Sequence, residues 1–163
     1  MATPSPSPVH PVLRKSTAPP AALDLLAKAR SGLAEAARLT RPNERYATAH
    51  LAALRTAAAV LAARGRPEPV SPRRPRIRSA WEVLPEIAPE LAEWSALFAS
   101  GADRRARAEA GIADAATCRD ADDLVRAVAM FLRLVERMLA VRTPSPHLPQ
   151  ALPEPRAERP DVG

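Results

Sequence analysis

His50 is the residue best placed to do chemistry. Of the three histidines, His10 and His147 lie in Pro-rich ends, so His50 is the one expected on ordered structure. Imidazole exchanges protons near neutral pH, and Arg45 stands five positions earlier, across Tyr46-Ala47-Thr48-Ala49. The same spacing recurs at Arg142 and His147, but across Thr-Pro-Ser-Pro, where no catalytic helix is plausible. A second chemical feature is the run Arg73, Arg74, Arg76 and Arg78. Each guanidinium is a planar fork suited to phosphate oxygens, and the close spacing suits successive phosphates. No aromatic residue is interleaved to stack bases, so binding there would be electrostatic and tolerant of sequence.

The other reactive side chains have plainer readings. Cys118 is the only cysteine, which excludes an internal disulfide and a thiolate metal site. Asp120, Asp122 and Asp123 sit where a helix should start, with Asp120 as its cap, and carboxylates there oppose the positive end of the helix dipole. Neither a metal nor a cofactor is therefore expected. With five Gly and no phosphate-binding glycine loop, nucleotide hydrolysis has no support.

These residues need a scaffold, and the composition limits it. Of the 163 residues, 47% are hydrophobic, but 36 are Ala and only 3% of the chain is aromatic. Ala, Leu, Glu and Arg favour helix, and strand formers are scarce, so an all-α fold is expected. Six prolines fall within residues 1–20 and six within 144–160, so 1–20 and 143–163 read as disordered tails flanking one domain at 21–142. No stretch approaches the apolar length of a membrane helix. Together with the lone cysteine, this suggests a cytoplasmic protein with no membrane partner.

Apolar spacing divides the domain into helices. Ala22, Leu26, Ala29, Leu33 and Ala36 predict a first helix over about 21–40. Pro42 suits the first turn of a second, running to about Arg64 with a stop at Gly65. The short connection makes the two an antiparallel hairpin. A third segment opens on Ser79 and Glu82 as a capping box and carries Leu84, Ile87, Leu91, Trp94 and Phe98, with a kink or a late true start expected from Pro85 and Pro89. A short helix over 102–111 precedes a last one lined by Leu124, Val128, Phe131, Val135 and Met138. Trp81, Trp94 and Phe98 are expected to anchor the core.

Charge is local. The basic loop 64–78 has six Arg and one Glu, nearly all of the formal +6 of the chain. Glu82, Glu86 and Glu90 recur every four residues just after it, with Glu93 nearby, so the loop has an intramolecular destination as well as a nucleic-acid one.

The segments RPNERYATAHLAALRTAAAVLAARGR, SAWEVLPEIAPELAEWSALFASGADRRARAEAG and DADDLVRAVAMFLRLVERML together resemble an actinobacterial, Streptomyces-type subfamily of HEPN domains. The resemblance spans about residues 20–142. It implies a four-to-five-helix antiparallel bundle, often a homodimer, in a superfamily of metal-independent ribonucleases, toxins, nucleotidyltransferase partners and inactive RNA-binding members. Its nucleases carry Arg followed by His at the spacing of Arg45 and His50. In that role His50 would act as general acid or base at the ribose 2′-hydroxyl or leaving oxygen, and Arg45 would stabilise charge on phosphate. In many of those nucleases the pair opens a later helix, whereas the last helix here contains no His. Five residues at 100° each also place Arg45 and His50 about 140° apart on one helix. Arg45 must then reach around or come from a partner subunit.

Two readings of His50 stand: a packed structural histidine in line with Tyr46 and Leu54, or a catalytic or RNA-contacting one. For the chain, the leading expectation is a helical module binding RNA, nucleotide or a protein such as a nucleotidyltransferase-type or antitoxin partner, without clear catalysis. A toxin-type endoribonuclease and a structural dimer or adaptor are the alternatives.

Overall fold

The computed structural model describes residues 18–65 and 78–139. The two predicted tails, apart from residues 18–20, and most of the basic loop, with Arg73, Arg74 and Arg76, lie outside these residues. Every regular element among the described residues is helical. The elements are α1 (Pro20–Arg38), α2 (Pro42–Arg64), α3 (Ala80–Ile87), a 3-10 turn (Pro89–Leu91), α4 (Ala92–Ser100), α5 (Ala102–Glu109) and α6 (Cys118–Met138). No helix among the described residues is long and apolar enough to cross a membrane.

Proline opens both α1 and α2, at a position whose backbone N–H would have no helical partner in any case. Only three residues connect them, so they pack as the expected hairpin. α1 buries Ala22, Leu26, Ala29, Gly32 and Ala36, a single stripe spaced by three and four. α2 is different. Its buried set, including Tyr46, Ala49, His50, Ala52, Ala53, Thr56, Ala57, Ala59 and Val60, goes most of the way round the helix, because α1, α3, α5 and α6 all pack on it. It ends at Gly65 without a left-handed turn: φ is −64°, the Gly65 N–H donates to the Leu61 carbonyl, and a Cβ would collide with that same oxygen.

The third segment is broken rather than merely kinked. Ser79 and Glu82 form the predicted capping box. Pro85 then sits inside α3, where it has no N–H for the Trp81 carbonyl one turn back. The buried Ser95 hydroxyl donates to that carbonyl instead, at 2.6 Å. Ala88, forced out of helical geometry ahead of Pro89, takes φ −135° and ψ 79° and ends α3. The chain restarts through the 3-10 turn into α4. The break lets rings from both halves share one core: Trp81 lies 5.2 Å from Phe98 between centroids, Phe98 5.1 Å from Phe131, and Trp94 stacks on Phe131 at 5.4 Å. The scarce aromatics are core anchors, as expected.

At the start of α6 the cap is Thr117, not Asp120. The Thr117 hydroxyl accepts from the Asp120 N–H, and the Asp120 carboxylate accepts from the Thr117 N–H. Asp120 is thus the third-residue half of a capping box. Farther along, α6 buries Val128, Phe131, Leu132 and Val135, and Glu136 pairs with Arg30 of α1.

Substituting Ser95→Ala should strand the buried Trp81 carbonyl and cost about 1–3 kcal/mol in urea unfolding. In a Pro85→Ala background, which restores the backbone donor, the same substitution should cost clearly less. Equal costs in both backgrounds would show that the hydroxyl does not replace the missing amide.

Candidate functional site

One helical turn separates Tyr46 from His50, so both face the region where α4, α5 and the first turn of α6 converge. Tyr46, Gly101, Arg104, Asp120 and Leu124 border a cleft of about 260 Å³, and His50 lies in its inner wall, covered from solvent by its neighbours. Gly101 is required for the close approach of this corner to α2, since a Cβ there would lie 2.5 Å from Tyr46 Oη and 3.6 Å from His50 Cδ2. The Arg104 guanidinium sits over the Tyr46 ring, 5.7 Å from its centroid, and 3.4 Å from Asp120 Oδ1. The backbone N–H and hydroxyl of Thr117, with a smaller contribution from Arg104, hold the Asp120 carboxyl below its usual range.

His50 is 0% exposed. Its Nε2 lies 2.9 Å from the Phe98 carbonyl oxygen. A carbonyl only accepts, so Nε2 carries the proton and Nδ1 the lone pair. Nδ1 is buried with no hydrogen-bond partner. The ring meets Trp81 and Phe98 edge to face, at 5.9 and 6.5 Å between centroids. Burial is the main effect that lowers the His50 pKa; the bond to Phe98 opposes it, Arg105 adds to it and Glu109 counters. The imidazole is therefore neutral at pH 7 and packed as a core ring.

Arg45 faces elsewhere. Its Nη1 is 2.5 Å from Asp122 Oδ1 on α6, and its Nε is buried without a hydrogen-bond partner. No hydrogen bond joins it to His50, and Arg45 does not line the cleft. The sequence motif is thus split between an α2–α6 ion pair and a core imidazole. The acidic residues at the start of α6 are each engaged: Asp120 in the capping box, Asp122 by Arg45 and Asp123 by Arg126. Among the described residues no group of three or more His, Cys, Asp or Glu could hold a metal ion. Cys118 is exposed at the first position of α6.

Both ends of the basic segment that are described contact the acidic stripe. Arg64 pairs with Glu90, and Arg78 pairs with Glu86, with a second contact at 3.1 Å. These arginines hold both Glu86 and Glu90 below the usual carboxylate range.

Two sets of contacts around the cleft carry no local signal in the sequence. Arg104 and Gly101 are single residues among many Ala and Arg, and only the fold brings them to Tyr46. Asn43 at the start of α2 donates from Nδ2 to the Ile112 carbonyl at 2.8 Å and accepts at Oδ1 from the Ala116 N–H at 2.9 Å. This one amide pins the loop that leads into α6.

Because the folded pKa of His50 is lowered, the unfolded chain binds more protons just below the ordinary histidine pKa. The contribution of His50 to stability is complete above about pH 6.5 and declines as pH falls from there toward the lowered folded value. Urea midpoints should therefore drop between about pH 7.5 and about pH 5.5, and His50→Gln should flatten that drop. An identical pH dependence in the variant would mean that His50 is not the group responsible.

The family model of SAV_6107-like HEPN domains matches residues 36–136, more than half of the chain. The match runs from the last turn of α1 to the last turn of α6 and contains every cleft residue. No curated protein and no solved structure matches the chain. On the strength of the family match, the chain belongs to the SAV_6107-like HEPN family.

Proposed function

We propose that this protein is a non-catalytic HEPN module that binds RNA or a nucleotide through the arginines of its basic segment, Arg73, Arg74, Arg76 and Arg78. One observation carries the non-catalytic half: His50 is sealed in the core with its proton committed to the Phe98 carbonyl. A general acid or base must come within hydrogen-bond reach of the reacting oxygen, and a fully covered ring gives a ribose no access. Arg45, held by Asp122, is committed as a structural cation. The binding half rests on charge, six Arg against one Glu over residues 64–78.

A second reading has its own support. The pairs Arg64–Glu90 and Arg78–Glu86 seat the ends of the basic segment on the protein itself, which favours a structural or adaptor role. Salt dependence separates the two. Under the binding reading, affinity for mixed RNA falls steeply with salt, and replacing Arg73, Arg74, Arg76 and Arg78 by Gln weakens binding and flattens that slope. Absence of salt-dependent binding favours the structural role.

Incubation of the protein with mixed RNA in EDTA should give no cleavage. Cleavage that disappears in a folded His50→Ala variant would overturn the proposal in favour of a metal-independent ribonuclease using Arg45 and His50.

A further inference from the structure

The face between α4 and α6 is left unfinished. Leu97 and Met130 are 49% and 58% exposed, two of the three large hydrophobic residues so exposed among the described residues. They belong to one seam. Leu97 and Ala127 border the cleft at one end, whereas Trp94, Met130 and Leu134 line a second hollow of about 340 Å³ at the other. Trp94 and Leu97 are three residues apart on α4, as are Ala127 and Met130 on α6, so each pair lies along one helix face. The floor is the stack of Trp94 on Phe131. From Ala127 to Leu134 the seam spans about 10 Å along α6, two turns of a partner helix.

One rim of this seam is charged. Arg133 and Arg137 border the second hollow, and both are exposed. Arg133 donates only to the carbonyl of Ala129 in its own helix, and neither guanidinium meets a carboxylate among the described residues. Arg38, Arg55 and Arg107 likewise pair with no carboxylate among the described residues, so what distinguishes Arg133 and Arg137 is their place beside an apolar hollow. An apolar groove with a cationic edge is complementary to an amphipathic helix whose apolar stripe is bordered by carboxylates.

We infer that the α4–α6 seam is the docking site for an acidic amphipathic helix of a partner protein, with Trp94, Leu97 and Met130 receiving its apolar face and Arg133 and Arg137 pairing with its carboxylates. None of these residues belongs to the basic segment, so the inference does not rest on nucleic-acid binding there. Met130 is suited to the task, since its unbranched side chain adapts to apolar partners of differing shape.

The test uses the full chain and two synthetic helical peptides with the same leucine stripe, one flanked by Glu and the other by Lys. Binding is read by calorimetry and by tryptophan fluorescence, to which Trp94 in the seam should respond. The Glu peptide should bind and the Lys peptide should not. Arg133→Glu with Arg137→Glu, and separately Met130→Asp, should each weaken binding by about tenfold or more with helical circular dichroism unchanged. Because a basic chain attracts acidic peptides in general, Arg38→Glu with Arg107→Glu, an equal charge change on other exposed helix positions, should leave binding nearly intact. Equal loss in that control, equal binding of the two peptides, or no binding of either would overturn the inference. So would light scattering showing a dimer of the chain that Met130→Asp dissolves, because the seam would then belong to a second copy.

Discussion

A helix with neighbours on most of its sides has room for few bulky side chains, and α2 meets that constraint with Ala49, Ala52, Ala53, Ala57 and Ala59, all fully covered. Small residues let α1 come close on one side and α6 on another, since interaxial distance is set by the side chains at the contact. The consequence is a core that gains little per residue from α2 itself. Larger groups must come from its neighbours, and they do: Leu26 from α1, Leu84 and Trp81 from α3, Phe98 from α4, and Phe131 with Val135 from α6. The chain has only five Trp, Tyr and Phe side chains, too few to spread out, and the four other than Tyr46 are gathered beside His50 in a single cluster.

The same constraint decides where chemistry can occur. Polar side chains on α2 that point inward bond to carbonyls where they can, His50 Nε2 to that of Phe98 and Thr56 to that of Ala52, although His50 Nδ1 is left without a partner. Arg45, at the edge of the buried surface, finds Asp122. The central helix thereby turns these side chains to packing and pairing, and the solvent-facing hollows among the described residues involve its neighbours: the cleft beside Arg104 and the seam of α4 and α6.

Much of the fold was legible because its signals are local. Pro42 opens a helix, Gly65 closes one, Ser79 with Glu82 is a capping box, and the three- and four-residue spacing of α1 and α6 marks their buried faces, whereas Pro20, read as the end of a disordered tail, opens α1. Asp120 shows the limit of such reading. Thr117-Cys118-Arg119-Asp120 fits a capping box, but an acidic run makes its first Asp an equally local candidate for the cap, and only the hydrogen bonds choose Thr117. The break at Pro85 and Pro89 was foreseeable, whereas the Ser95 hydroxyl that answers it comes from 14 residues away in sequence. For the site, the resemblance to HEPN nucleases singled out Arg45 and His50, and helix geometry placed them on different faces. What each side chain meets depends on α4 and α6, which no local pattern on α2 encodes.

Asn43 links the start of α2 to Ile112 and Ala116, 69 and 73 residues later in the chain. Closing a loop of that length costs about 3 kcal/mol more chain entropy than closing the three-residue turn between α1 and α2. The helical hairpin is thus the cheap part of the topology, and the corner that holds Tyr46, Gly101 and Arg104 together belongs to its non-local part. The loop that leads into α6 beside this cleft is tied back across about seventy residues of chain by a single amide.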